Sequence, residues 1–142
     1  MEENIGFGLI GIKTEQFAII EEAYSESGKT KFGAGLQFKI DQKQKQVGVF
    51  LTLSFEQKKS VFLKIEVSGH FKIKEDSWQS FVANDKLSFP RNFMAHLTMI
   101  VVGTARGVLH AKTEDTKFNK FLVPTINVND LVKEDVVFTM EP

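Results

Sequence analysis

The chain has 142 residues, 25% of them charged and 42% apolar, a globular composition long enough to bury a core. Eighteen acidic residues balance eighteen basic ones, which argues against a nucleic-acid partner, and the absence of cysteine excludes disulfides and thiolate chemistry. Met1-Glu2-Glu3 carries the wrong charge for a secretory signal, and the longest apolar run, LTMIVVG, is far short of the roughly 20 residues that span a bilayer. A cytoplasmic protein of one domain, residues 1–142, is the expectation.

A loosely patterned strand pair is predicted over residues 7–12 and 17–24, after which SESGKTK crosses to a more regular region. In KFGAGLQFKID, Phe32, Ala34, Leu36, Phe38 and Ile40 share one face. In VGVFLTLSFE, Val47, Val49, Leu51, Leu53 and Phe55 do the same. In VFLKIEVSGHFKIK, Val61, Leu63, Ile65, Val67, Phe71 and Ile73 alternate with Phe62, Lys64, Glu66, Ser68, His70, Lys72 and Lys74. Strict alternation marks a sheet with one buried and one wet face, and the short connectors QKQKQ and QKKS make the neighbours antiparallel.

The period then changes. SFPRNFMAHLTMIVVGTARGVLHAK places Ser88 as a cap and Pro90 near the first position of a helix of about 22 residues, roughly 33 Å long. Phe93, Leu97, Ile100, Val101, Thr104 and Val108 form one apolar stripe, and Met94, Met99, Val102, Ala105 and Leu109 extend it round most of the cylinder. Such a helix is buried on more than one side, and a single sheet covers only one, so the second layer is expected to be another copy of the chain. Gly103 and Gly107, four residues apart, fit a close helix–helix approach, since interior glycine otherwise costs about 0.5–1 kcal/mol relative to alanine. Phe93, Leu97, Ile100 and Thr104 with Gly103 and Gly107 are the expected interface. HAKTEDTKFNK then reads as a loop and FLVPTINVNDLV as an apolar segment following it.

The residues offer little chemistry. His96 and His110 lie about 21 Å apart along the helix, His70 stands alone on a strand, and no ligand spacing recurs, so no metal site is expected. No nucleophile elbow, P-loop or dinucleotide fingerprint occurs, and the adjacent acids Glu21-Glu22 and Glu114-Asp115 point apart. Neither catalysis nor a cofactor is expected. The unusual count is 14 phenylalanines against one Trp and one Tyr, apolar surface that must be buried or used for binding.

Strands, a proline-started helix, a polar loop and then FLVPTINVNDLV resemble, in that order, the SecB-type export chaperones. SFPRNFMAHLTMIVVGTARG is similar to that family's helix, LVPTINVNDLV to its following loop signature, and VFLKIEVSGHFKIK to its fourth strand. The early GLIGIKTEQFAIIEE fits its first strand more loosely, and the likeness covers roughly residues 7 to 133. The resemblance implies an α+β fold, a four-stranded antiparallel sheet followed by a long helix packed on one face, with a lid loop. It further implies a homotetramer built as a dimer of dimers, and binding of unfolded polypeptides without chemistry. On that reading Phe118, Phe121 and Leu122 line a client groove. Phe50 and Phe62, on the polar phase of their strands, and Trp78 after the last strand are further client-binding candidates. Two features depart from the family. KEDVVFTMEP is short and β-like where a second amphipathic helix is usual, and the chain is neutral where members serving the translocase motor tend to be acidic. Other SecB-like proteins serve toxin–antitoxin systems, so a translocase motor or an antitoxin is the implied partner. An adaptor for one partner, or a small-ligand domain with the ligand between helix and sheet, are the alternative readings.

Overall fold

Four antiparallel strands, β1 (Phe7–Ile19), β2 (Lys31–Asp41), β3 (Gln46–Gln57) and β4 (Ser60–Ile73), form the main sheet in the order β1-β4-β3-β2. The structure, a computed structural model, describes residues 4–141, so the Met1-Glu2-Glu3 start lies outside the described residues. β2, β3 and β4 make the meander that alternation predicts. Val47, Val49, Leu51, Leu53 and Phe55 oppose Phe71, Gly69, Val67, Ile65 and Leu63, all buried on one face. The β3–β4 turn places Lys58 and Lys59 at φ 52° and 66°, the left-handed geometry that matches a two-residue turn to the strand twist.

The first strand differs from expectation. β1 is one continuous strand along β4 rather than a pair, with register breaks between Leu9 and Gly11 and between Thr14 and Gln16. The linking residues Lys13, Thr14, Glu15 and Gln16 include no glycine, proline or asparagine, so the chain bulges and continues instead of turning.

A second break falls within β4. Phe55 pairs with Leu63 but Glu56 pairs with Val61, which leaves Phe62 as an extra residue. The bulge puts Val61 opposite Glu56 on the outer side and turns both Phe62 and Leu63 into the core. Strict alternation would have put Phe62 on the wet face, and the bulge is why it is not there.

After β4 come α1 (Glu75–Ser80), the hairpin of β5 (Val82–Ala83) and β6 (Lys86–Phe89), and the long helix α2 (Arg91–Thr113). Ser88 lies in β6 and donates its N–H to Phe81 O at 2.9 Å, so it does not cap α2. The cap comes from far along the chain, where Asp135 Oδ1 accepts from Arg91 N at 2.8 Å. At the other end Asn119 Nδ2 donates to His110 O at 3.1 Å and Thr116 Oγ1 to Thr113 O at 2.7 Å, which satisfies carbonyls the helix leaves open. By length and hydropathy α2 is apolar enough to cross a membrane, but half of its apolar window is packed inside the protein.

α2 lies across β3 and β4. Its buried residues are Phe93, Met94, Ala95, Leu97, Thr98, Val101, Val102, Ala105, Leu109 and Thr113. The two threonines enter the core because each hydroxyl is spent on the helix itself. Thr98 Oγ1 donates to Met94 O at 2.8 Å and Thr113 Oγ1 to Leu109 O at 2.9 Å. The sheet approaches the helix closely at Gly69, where an added Cβ would stand 2.6 Å from Val101 Cγ2. Gly69→Ala is therefore expected to destabilise the fold by about 1–3 kcal/mol, measurable as a lower urea midpoint with an unchanged slope.

The C-terminal residues return to the same body. α3 (Val128–Leu131) contacts α2, and β7 (Val136–Thr139) adds to β6, giving a small sheet of order β5-β6-β7. The β-like run at the chain's end is thus a strand, with Phe138 against Leu87 and Val136 against Phe89.

Candidate functional site

Most of the aromatic residues have structural partners, which places several candidate binding residues inside. Tyr24, Phe62, Phe118 and Phe121 form one cluster. The Tyr24 ring lies 4.9 Å from Phe62 and 5.1 Å from Phe118, and Phe62 lies 5.0 Å from Phe121. Phe62 and Phe118 are fully buried there and Phe121 is half-buried. Trp78 anchors a second cluster, 5.7 Å from Phe89, which lies 5.1 Å from Phe81 and 6.0 Å from Phe138. It too is fully buried, with Phe89 of β6 packed edge-on against its ring. Phe62, Trp78 and Phe118 are core residues in this conformation and present no surface to a client. Phe93 and Leu97, expected between subunits, are likewise packed within the chain's own core.

Phe50 stays on the outer face of the sheet, half-buried, with the Lys39 ammonium 4.5 Å from its ring centroid and His70 at 5.7 Å. Beside it Ser68 Oγ donates to Glu15 Oε2 at 2.6 Å and lies 2.9 Å from His70 Nε2. A hydroxyl has one proton, so with Glu15 receiving it the His70 Nε2 is the donor to Ser68. Burial and then the nearby Lys13 hold the His70 imidazole below its ordinary value, opposed by Glu15. The order of atoms is histidine to serine to carboxylate, each hydrogen-bonded to the next, so the group reads as a satisfied polar knot on the sheet. Among the described residues no three His, Asp or Glu side chains gather to hold a metal ion.

Leu122 is different: it is 64% exposed. Residues 121–127 follow a 3-10 turn (Lys117–Lys120), have no regular secondary structure, and run beside α2 as a strap. Arg106 fastens it, Nε donating to Val123 O at 3.3 Å and Nη2 to Pro124 O at 3.1 Å. On either side of this link lies an open hollow. One, of about 320 Å³, is bordered by Met99, Gly103, Ile126 and Val128, and the other, of about 430 Å³, by Gly107, His110, Phe121 and Leu122. Gly103, Arg106 and Val123 border both. Met99 stands 59% exposed at one end, and a Cβ placed on Gly103 or Gly107 would meet nothing within 4 Å. Ile100 and Thr104 are half-buried on the helix flank. The two hollows make one groove, with Met99 and Leu122 at its ends and the Arg106 link to the strap at its centre.

Of the residues expected at a client site, Phe121 and Leu122 reach this groove, while Met99, Arg106, Ile126 and Val128 were not foreseen. A signal for the helical ones was present. Asn92, His96, Met99, Gly103, Arg106 and His110 recur at spacings of three and four, the exposed stripe of α2. A further hollow of about 370 Å³ by the Glu21–Ala23 turn holds Gln57, whose amide joins Ser25 N at 2.8 Å and Ser25 O at 3.1 Å. That hollow is a loop anchor.

An antiparallel four-stranded sheet with a long helix across one face and a strap beside the helix is a SecB-like fold. The chain is similar in structure to the SecB-like chaperone Rv1957 of Mycobacterium tuberculosis, solved in complex with a ChAD peptide from the Rv1956 HigA1 antitoxin. The TM-score is 0.52 at 9% sequence identity, over 84% of this chain and 90% of that one. No family model matches the chain, and no curated protein matches it.

Proposed function

We propose that the protein is a homo-oligomeric chaperone that holds extended apolar segments of non-native polypeptides in the groove between α2 and the strap. The observation that carries this reading is the pair of exposed apolar side chains, Met99 and Leu122, flanking a glycine-floored groove that the chain itself leaves empty. A soluble protein ordinarily covers such a surface or uses it. The copies would meet along the edge strand β1, which exposes Leu9, Ile10 and Ile12, and at the α2 flank that carries Ile100 and Thr104, leaving the Gly103 and Gly107 floor to the client. Binding needs no catalytic group and no cofactor.

A second reading, an adaptor for one dedicated partner, is favoured by the structural neighbour, whose bound peptide comes from an antitoxin. Export and a toxin–antitoxin module are two settings for the same groove. Light scattering of the purified protein with several unrelated denatured clients separates the readings. The chaperone suppresses aggregation of all of them near stoichiometric oligomer, and the particle mass measured without client exceeds the 16.1 kDa of one chain. Failure on every client would favour the adaptor, and a stable monomer would remove the oligomer from the proposal. A small ligand between helix and sheet finds that space filled by Val101, Ala105 and the sheet residues beneath them.

A further inference from the structure

Arg106 is the one charged residue bordering either half of the groove, and neither half is bordered by Asp or Glu. Its guanidinium is answered by two neutral carbonyls, Val123 O and Pro124 O, and among the described residues it forms no ion pair. A guanidinium has five donors, so at least three remain for another acceptor. His110, which borders the larger hollow, adds no negative charge, and the whole chain is neutral, so this positive spot is local to the groove.

The geometry points to an acidic–apolar peptide as the preferred occupant: an extended segment whose apolar side chains enter the two hollows and whose Asp or Glu side chain meets Arg106. This rests on reading the groove as a peptide site. The hollows are bordered by stretches of α2 centred four to five residues apart, about 6–7 Å of helix rise. That matches the roughly 6.5–7 Å between side chains two apart on an extended strand. One short peptide therefore places side chains two apart in both hollows, and since the residue between them faces the other way, the acidic side chain that meets Arg106 is one flanking the pair on the same face. A carboxylate there gains charge-assisted hydrogen bonds, whereas a lysine meets a like charge already held in place by the strap. The strap's own carbonyls leave the arginine fixed and oriented, so little side-chain freedom is lost on binding.

Fluorescence anisotropy on the full chain tests this with a set of labelled, end-capped peptides. They share the same apolar residues and carry Asp, Gln or Lys between and beside them. The acidic peptide is expected to bind about five- to tenfold more tightly than the lysine peptide at low salt, with the ratio falling toward one above about 0.5 M salt. Arg106→Lys keeps the preference and Arg106→Gln abolishes it. Should Gln at 106 loosen the strap, the salt dependence of the unaltered chain still decides. Equal binding of all three peptides, tighter binding of the lysine peptide, or a preference that survives Arg106→Gln overturns the acidic selection and leaves the peptide site standing. Binding of none of them overturns both.

Discussion

Phe62→Ala is expected to lower folding stability by about 3–5 kcal/mol, among the largest single losses available to this chain. The ring is fully buried, with Tyr24 at 4.9 Å, Phe121 at 5.0 Å and Phe118 at 6.0 Å, and it sits at the centre of a cluster whose outer rings also touch one another, Tyr24 lying 5.1 Å from Phe118 and 5.7 Å from Phe121. Truncation leaves a cavity whose walls are other rings and cannot collapse without moving the loop that carries Phe118 and the strap that begins at Phe121. A domain of this size holds only about 5–15 kcal/mol in total, so the variant is left near the threshold of folding. Thermal melting followed by circular dichroism should fall by about 10 °C or more. Phe50→Ala, half-exposed on the outer face, serves as the control and should lose about 1 kcal/mol. If the two variants melt alike, the Phe62 ring is not packed as the structure places it.

The contrast between Phe50 and Phe62 shows what a sequence can and cannot carry. Both sit on the polar phase of an alternating strand. Alternation correctly places the inner faces of β3 and β4, because a sheet buried on one side forces period two on its side chains. A bulge is a backbone event with no required side chain, so Phe62 turned inward without leaving a trace in the pattern. The helix shows the same limit. Its start, length and apolar character were legible, yet its buried face runs through Thr98 and Thr113, whose hydroxyls bond to their own helix. The second layer over α2 was read as another subunit, but part of it is the chain's own strap and α3. The β5–β6 hairpin went unread although Asn84-Asp85, at φ 52° and 62°, are suitable turn residues between two short strands. At the site, Leu122 was legible as an apolar residue after a polar loop. Arg106 was not, because its partners are 17 and 18 residues away and no local pattern joins them.

Met99→Ser together with Leu122→Ser is expected to weaken client capture about 30-fold or more while leaving the fold intact. Full burial of a Met or Leu side chain contributes about 1.5–3 kcal/mol, and these two are already partly covered, at 59% and 64% exposure, so about 1–2 kcal/mol remains for each. Two such losses, at opposite ends of the groove, sum to about 2–4 kcal/mol, and each 1.4 kcal/mol is a factor of ten in affinity. Neither side chain supports the core, so urea midpoints should move by no more than about 0.5 kcal/mol in equivalent stability. Phe121→Ser makes the comparison sharp. Its ring borders the same groove but also packs 5.6 Å from Phe55 and 5.0 Å from Phe62, so it should lose stability and binding together. Titration of a labelled, unfolded client against the double variant reads the affinity directly. Unchanged affinity would move the site away from α2 and the strap, to the exposed Leu9, Ile10 and Ile12 of β1, another uncovered apolar surface among the described residues.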